Sequence, residues 1–157
     1  MAKGAAYCFS FVVVFLSLAL VVHSYDCTYV VSLKTGTINK AGTHAKVLLR
    51  LHDNQGHSVD ATDLSAYGVG SKDHYFKRGQ FDKFNIPGDC FPSPICIIEL
   101  SHNNGGSSPA WYVEYLEVAV VTLQMQNTTS PVRRFNINQW LAKDEPPYSL
   151  SVVKNQC

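Results

Sequence analysis

The clearest chemistry encoded in this chain is that of its cysteines. Five are present, and Cys8 lies in an N-terminal segment that we expect to be removed. The four that remain indicate two disulfides in a secreted chain, with three possible pairings. If the pairs are Cys27–Cys90 and Cys96–Cys157, each closes a long loop and contributes ~2–5 kcal/mol. Metal ligation is the weaker alternative, because no CxxC pair or closely spaced Cys/His set is present.

Catalytic chemistry is not predicted. The sequence contains no G-x-S-x-G elbow and no HExxH motif. Gly68-Val-Gly70-Ser-Lys72 resembles a phosphate loop only superficially, because it lacks the spacing and the helix such a loop needs. The histidines after the N-terminal run fall in loops or at outward strand positions, and none has a nucleophile paired with it in sequence. We therefore expect solvated histidines at His44, His52, His57, His74 and His102.

A group of aromatic and basic residues is the best candidate for a binding surface. Tyr75 and Phe76 lie in a polar loop, and Phe91 lies in a Pro-rich turn. In a domain that docks on a membrane, such rings insert at the headgroup level while cations contact phosphate. The alternative is that the rings pack into the ends of the fold. The cations close to Tyr75 and Phe76 in sequence are Lys72, Lys77 and Arg78.

The N-terminal segment has the features of a signal peptide. Lys3 precedes an uncharged apolar run at 9–22, and small residues near Ser24 place cleavage after that residue. The run is shorter than the ~20 residues that a membrane-spanning helix needs. Residues 25–157 then form one soluble domain, and Asn127 begins the only N-x-Ser/Thr glycosylation sequon. A net charge of +1 without a basic run argues against nucleic acid as a partner.

Period-2 alternation predicts an all-β sandwich with seven or eight short strands and no helix of useful length. We expect a β-hairpin of strands 95–101 and 111–115 around a long exposed loop, and a buried Trp111 at the start of its second strand. That strand extends to 121 only with a bulge near Leu116. The other predicted strands are 29–35, 45–51, 64–67, 80–86, 134–141 and 148–153.

Several motifs together resemble the PLAT (lipoxygenase-homology) domain, and most closely the plant stress subfamily of single-domain secretory PLAT proteins. They are Lys34-Thr35-Gly36, Ala41-Gly42-Thr43, Arg78-Gly79, the Cys90-Phe-Pro-Ser-Pro-Ile-Cys96 bracket and Trp111-Tyr112-x-x-Tyr115. The resemblance implies an eight-stranded antiparallel β-sandwich, here stabilised by disulfides, that serves as a monomeric binding module without enzymatic activity. The implied partners are a lipid or membrane surface, a small hydrophobic metabolite or a protein, in a stress response.

Two alternatives accompany this interpretation. One is a calcium-dependent membrane-docking module; the other is a small enzyme, or a regulator of a lipid-oxidising enzyme. PLAT domains that bind calcium usually carry an acidic residue where this chain has His44, and imidazole is a poor ligand for that hard cation. We therefore expect no cofactor. The oxygen donors left for calcium are Asp53, Asn54, Asp73 and Asn103.

The implied compartment is the secretory pathway. The last four residues, Lys154 to Cys157, are not a KDEL-type retention signal. The expected location is therefore extracellular, in the apoplast, with the lumen of the endoplasmic reticulum as the alternative.

Overall fold

The computed structural model describes residues 26–70, 74–122 and 128–157, which form two antiparallel β-sheets packed face to face. A single 3-10 helix, Leu64–Tyr67, is present in these ranges. The strands are β1 (Asp26–Thr35), β2 (Val47–His52), β3 (Ser58–Ala61), β4 (Phe81–Asp89), β5 (Ile97–His102), β6 (Trp111–Thr122), β7 (Thr128–Thr129), β8 (Arg133–Leu141) and β9 (Ser151–Asn155).

The first sheet has the order β4-β1-β6, and both β7 and β8 pair with β6 on its other side. The second sheet has the order β3-β2-β5-β9. Side chains alternate between the two faces of each strand, so the inner faces of both sheets supply the core. The predicted all-β sandwich is confirmed. The described residues contain eight strands of four or more residues, which is the expected number, with the two-residue β7 in addition; β3 is one of the eight and was not predicted.

The core lies between the sheets and is closed at one end by Trp111. Tyr29 and Leu33 of β1 and Leu100 of β5 are completely buried. Burial of side chains of this size stabilises the fold by ~1.5–3 kcal/mol each. Trp111 is also fully buried, and its indole N–H donates to Thr35 Oγ1 at 3.1 Å, which satisfies the only polar atom of the ring. The predicted core position of Trp111 is confirmed.

Two local predictions are wrong. Strands 95–101 and 111–115 do not form a hairpin, because β5 pairs with β2 and β9 in one sheet whereas β6 pairs with β1 and β8 in the other. The segment 64–67 is a 3-10 helix instead of a strand, and the carboxylate of Asp63 caps it by accepting from Ser65 N–H. The predicted bulge in β6 is present, and the register shifts between Val113 and Tyr115.

Two disulfides form, as expected from the four cysteines; of the three possible pairings the structure has Cys27–Cys90 and Cys96–Cys157, both at the same end of the sandwich. Cys27–Cys90 joins the start of β1 to the segment after β4, and Cys96–Cys157 joins the segment before β5 to the last residue. We call this the disulfide end. The opposite end, which we call the loop end, carries the connections 36–46, 103–110 and 142–150, and the described parts of the connection between β3 and β4, 62–70 and 74–80. Within the described ranges, no helix has the length and apolar character needed to cross a membrane.

Candidate functional site

Two connections at the loop end are joined into one surface by backbone hydrogen bonds. Gly79 N–H donates to Gly36 O at 2.7 Å, and Thr43 N–H donates to Phe76 O at 3.1 Å. Between these bonds the two segments are in backbone contact at Gly42, where an added Cβ would lie 2.8 Å from Arg78 N. The segments 36–43 and 76–80 therefore have a fixed relative position, although more than 30 residues separate them in sequence.

Phe76 anchors this pair of loops in the core. Its backbone has a positive φ of 63°, and its N–H donates to the buried carboxylate of Asp82 at 2.8 Å. The ring is only 4% exposed and stacks on Phe84 with centroids 5.5 Å apart, next to Trp111. The prediction that Phe76 contacts a membrane is therefore wrong, because its ring belongs to the core.

Tyr75 is half-buried beside Phe76. Its ring packs against Phe84 at 5.3 Å, and its hydroxyl donates to Gly70 O at 3.1 Å. It supports the loop and presents only part of its ring to solvent. Lys72 and Asp73, the neighbouring candidates, lie outside the described residues.

The anchored loops expose one apolar side chain and three cations, which we call the basic patch: Ile38, Lys40, Lys77 and Arg78. Ile38 is 44% exposed at the tip of its turn. Among the described residues, no carboxylate forms an ion pair with any of these cations, whereas Arg50, Lys46 and Arg134 elsewhere are paired. Lys77 and Arg78 were predicted as surface-binding residues. Ile38 and Lys40 were missed, although an isoleucine between polar turn residues was a signal for them.

The candidate calcium ligands do not converge. Asp53 follows the last residue of β2, whereas Asn103 hydrogen-bonds to Lys46, which precedes the first residue of β2. The six residues of this strand, at ~3.4 Å each, separate the two sites by about 20 Å. Asn103 Oδ1 accepts from the backbone N–H groups of Lys46 and Gly105, at 3.0 and 2.9 Å. Asn54 is exposed next to Asp53. Asn103 therefore shapes its own loop and cannot share a cation with Asp53 and Asn54.

The Asp53 carboxylate is already saturated by protein donors. It accepts from the backbone N–H groups of Gln55 and His57 at 2.9 Å each, and from His57 Nδ1 and Ser93 Oγ at 2.7 Å each. Burial opposes ionisation, but the hydrogen bonds from Ser93, His57 and the two amides hold the pKa of Asp53 well below its usual range. Asp53 therefore organises the turn after β2.

The contacts of Asp53, His57 and Ser93 do not have the geometry of a nucleophile with its base. Both Ser93 and His57 bond to the same carboxylate oxygen of Asp53, so the hydroxyl is directed to the acid instead of the imidazole. Phe91 stacks on His57 at 5.6 Å and packs against Tyr29 at 5.3 Å, all at the disulfide end. Phe91 thus lies at the opposite end from Lys77 and Arg78, and these predicted residues do not form one site.

The prediction of solvated histidines is wrong for His102, which is buried, and His52 is half-buried. His102 is 4% exposed, and its Nε2 lies 2.8 Å from Leu141 O while Nδ1 accepts from Asn104 N–H at 3.1 Å.

At the loop end, the rings of His44 and His74 lie with centroids 6.2 Å apart, and Ser107 Oγ is 3.3 Å from His44 Nδ1. Both histidines are exposed at the same end of the sandwich as the basic patch.

Comparison with known proteins decides the family. A model of the PLAT/LH2 domain matches residues 29–153. The chain belongs to the PLAT/LH2 domain family. It is 38% identical over 134 residues to PLAT domain-containing protein 1 of Arabidopsis thaliana, an alignment that covers 84% of this chain and 72% of that protein. It is 35% identical to PLAT domain-containing protein 2 of the same plant, with 92% and 84% covered.

Solved structures agree with the PLAT fold. Coral 8R-lipoxygenase superposes with a TM-score of 0.56 at 20% identity over 82% of this chain, which spans only 16% of the lipoxygenase. The description of that structure reports calcium activation through a C2-like domain. Clostridium absonum alpha toxin superposes with a TM-score of 0.50 at 20% identity.

Proposed function

We propose that this chain is a non-catalytic PLAT binding domain that docks on an anionic lipid surface through the basic patch. The observation that carries the proposal is the joining of Ile38 and Lys40 to Lys77 and Arg78 by the bonds between their two loops. Each cation close to an anionic membrane surface contributes ~1 kcal/mol. The exposed isoleucine adds apolar burial at the headgroup boundary.

The docking is proposed to be independent of calcium. Asp53 is saturated by internal donors, Asn103 lies about 20 Å from it along β2, and His44 occupies the position where calcium-binding relatives have an acid. Cations of the patch then take the place of the metal as partners of lipid phosphate.

We further propose that the domain works in the secretory pathway, on the basis of the N-terminal signal pattern and the two disulfides. A role in plant stress responses is proposed on the resemblance to the stress subfamily.

Vesicle co-sedimentation tests the docking proposal. The purified protein is mixed with vesicles of phosphatidylcholine alone, or with vesicles of phosphatidylcholine that contain about 30% phosphatidylserine. Each mixture is measured in calcium and then in chelator. We expect binding to the anionic vesicles only, unchanged by chelator and weakened by salt, since surface charges are screened. Binding abolished by chelator would support the calcium-dependent alternative and contradict ours. Absence of binding in every condition would favour a protein partner.

Single substitutions locate the surface. Lys77→Ser and Arg78→Ser should each weaken vesicle binding about fivefold, which corresponds to ~1 kcal/mol per cation. Ile38→Ser should also weaken vesicle binding, and it should reduce the binding that remains at high salt. Lys83→Ser is the matched control, because it removes an exposed cation from β4 on the outer face of the sheet. Equal effects of Lys77→Ser and Lys83→Ser would show that net charge, and not the patch, controls binding.

A further inference from the structure

A cavity of about 710 Å³ opens at the disulfide end, over the inner face of the first sheet. Its floor is the inner face of β1 and β6, where Tyr29, Val118 and Val120 line it. The segments 91–95 and 128–134 form its walls. The cavity exists because β5 begins only at Ile97, so the second sheet leaves the end of β6 uncovered and Val120 half-exposed. Its volume lies within the ~300–1,000 Å³ of small-molecule sites.

The polar groups in these walls are largely satisfied within the protein. The Tyr29 hydroxyl donates to Asp89 O at 2.6 Å, and Ser93 Oγ donates to Asp53 Oδ2 at 2.7 Å. Ser130 Oγ accepts from Val120 N–H at 2.8 Å. A ligand therefore meets mostly carbon surface, which favours an apolar chain.

Arg133 is the exception, because it is a cation on the inner face of the sheet. It pairs with Val118, which is buried, and cross-strand partners present their side chains on the same face. Phe135 and Ile137, two and four residues further along β8, are buried on that face as well. Arg133 is half-buried, and its one hydrogen bond in the described ranges is a long one of 3.5 Å from Nη1 to Gln156 O.

The neighbouring arginine shows what Arg133 lacks. Arg134 faces outward, pairs with Glu117 at 2.7 Å and lies over the ring of Tyr115 at 3.9 Å. Among the described residues, no carboxylate forms such a pair with Arg133. A guanidinium that lines an apolar cavity without an acidic partner is suited to an anionic group on the ligand.

The charges around the cavity also orient the ligand. Burial, with smaller contributions from the charges of Asp89 and Asp53, raises the pKa of Tyr29 to about 12, so this side of the cavity disfavours an anion. Arg133 lies on β8, two strand spacings or about 10 Å across the sheet from β1. The anionic head therefore belongs at Arg133, with the apolar chain directed towards Tyr29 and Phe91.

We propose that this cavity binds one molecule of a long-chain fatty acid, with its carboxylate on Arg133 and its chain against the partly exposed side chains of Val120 and Phe91. The site lies at the end of the sandwich opposite the basic patch. It therefore functions separately from the proposed membrane docking, and each proposal can fail without the other.

Binding of oleate, compared with methyl oleate, tests the site. Delipidated protein with both disulfides formed is titrated below the critical micelle concentration of oleate, and bound ligand is counted by native mass spectrometry and calorimetry. We expect one oleate per chain and binding of methyl oleate at least about tenfold weaker, equivalent to ~1.4 kcal/mol. Equal binding of the acid and the ester, or binding of oleate only as micelles, would overturn the proposal.

Three variants separate this site from the basic patch. Arg133→Gln should abolish the preference for oleate over its ester and leave vesicle co-sedimentation unchanged. Arg78→Gln should weaken vesicle co-sedimentation and leave the preference for oleate over its ester unchanged. Val120→Phe places a larger side chain in the cavity and should prevent binding of both ligands, and its folding is checked by thermal unfolding. Retention of the oleate preference in Arg133→Gln would contradict the assignment of the carboxylate to Arg133.

Discussion

At the scale of single residues, His102 shows how one buried side chain links the fold to pH. Asn104 N–H donates to Nδ1, so Nε2 carries the proton of the neutral ring and donates to Leu141 O at 2.8 Å. The bond thereby joins β5 of one sheet to the end of β8 in the other. Protonation would charge a buried ring and remove the acceptor that Asn104 uses. Burial accordingly lowers the pKa of His102, although the bond to Leu141 opposes this.

The pH dependence of stability follows from this lowered pKa. The unfolded state takes up the proton near pH 6.5 and the folded state only at lower pH, so His102 favours folding above ~6.5 and loses that contribution as the pH falls. We expect the free energy of unfolding in urea to decrease by at most about 1.4 kcal/mol per pH unit from this group. His102→Gln should flatten the decrease between pH 7 and 5, whereas the exposed-loop variant His74→Gln should not. An unchanged slope in His102→Gln would contradict the assignment.

At the scale of elements, the close approach of two loops determines the basic patch. Gly42 is in backbone contact with the 76–80 loop, where Phe76 O and Arg78 N lie 2.9 and 2.8 Å from the position of an added Cβ. Backbone atoms at such distances cannot move aside as a flexible side chain can. Phe76 and its bond to Asp82 hold the other loop from below. The patch is therefore a property of the loop pair and not of either loop alone.

Gly42→Ala tests this dependence. The added methyl group should push the loops apart, lowering the free energy of unfolding by ~1–3 kcal/mol and weakening binding to anionic vesicles. Gly56→Ala is the control, because Gly56 has a φ of 93° but no atom within 4 Å of an added Cβ. It should cost ~1 kcal/mol of backbone strain without altering vesicle binding. Wild-type vesicle binding by Gly42→Ala would show that the patch tolerates separation of its loops.

At the scale of the whole molecule, two disulfides hold the end that contains the cavity. They join residues separated by 63 and 61 positions, so each restricts a long loop in the unfolded chain. The loop-entropy estimate is about 4 kcal/mol for loops of this length. Cys96–Cys157 also fixes Gln156, whose amide Nε2 donates to Arg134 O at 2.9 Å. The last residues thereby tie the second sheet to the start of β8.

Removal of this disulfide should destabilise the molecule without changing its fold. The double variant Cys96→Ser, Cys157→Ser is expected to lower the free energy of unfolding in urea by ~2–4 kcal/mol and to keep its β-sheet circular dichroism at 25 °C. This variant retains the Cys27–Cys90 disulfide. Fully reduced wild type, which has neither disulfide, should be less stable than both the variant and the oxidised wild type. Equal stability of variant and wild type would mean that the restricted loop adds nothing to folding.

The sequence by itself determined the local structure and the family. Alternation of apolar and polar residues in 29–35, 80–86 and 134–141 identified strands, because a side chain's burial repeats every second residue along a strand. The burial of Trp111 was predicted from its place at the start of a strand. The number of disulfides was predicted from the even count of cysteines, whereas the choice among three pairings was left open. The bulge in β6 was predicted because Glu114 and Glu117 cannot share a face of a regular strand.

Only the tertiary structure decided which elements are neighbours. Alternation in β5 and β6 is the same whether they pair or lie in different sheets, so the predicted hairpin was wrong. Phe76 was assigned to a membrane because its neighbours are polar, yet Asp82 and Phe84 draw it into the core. The basic patch and the inward position of Arg133 likewise depend on long-range contacts. A sequence pattern records how each side chain meets its own strand or loop, whereas a binding surface is made where distant segments meet.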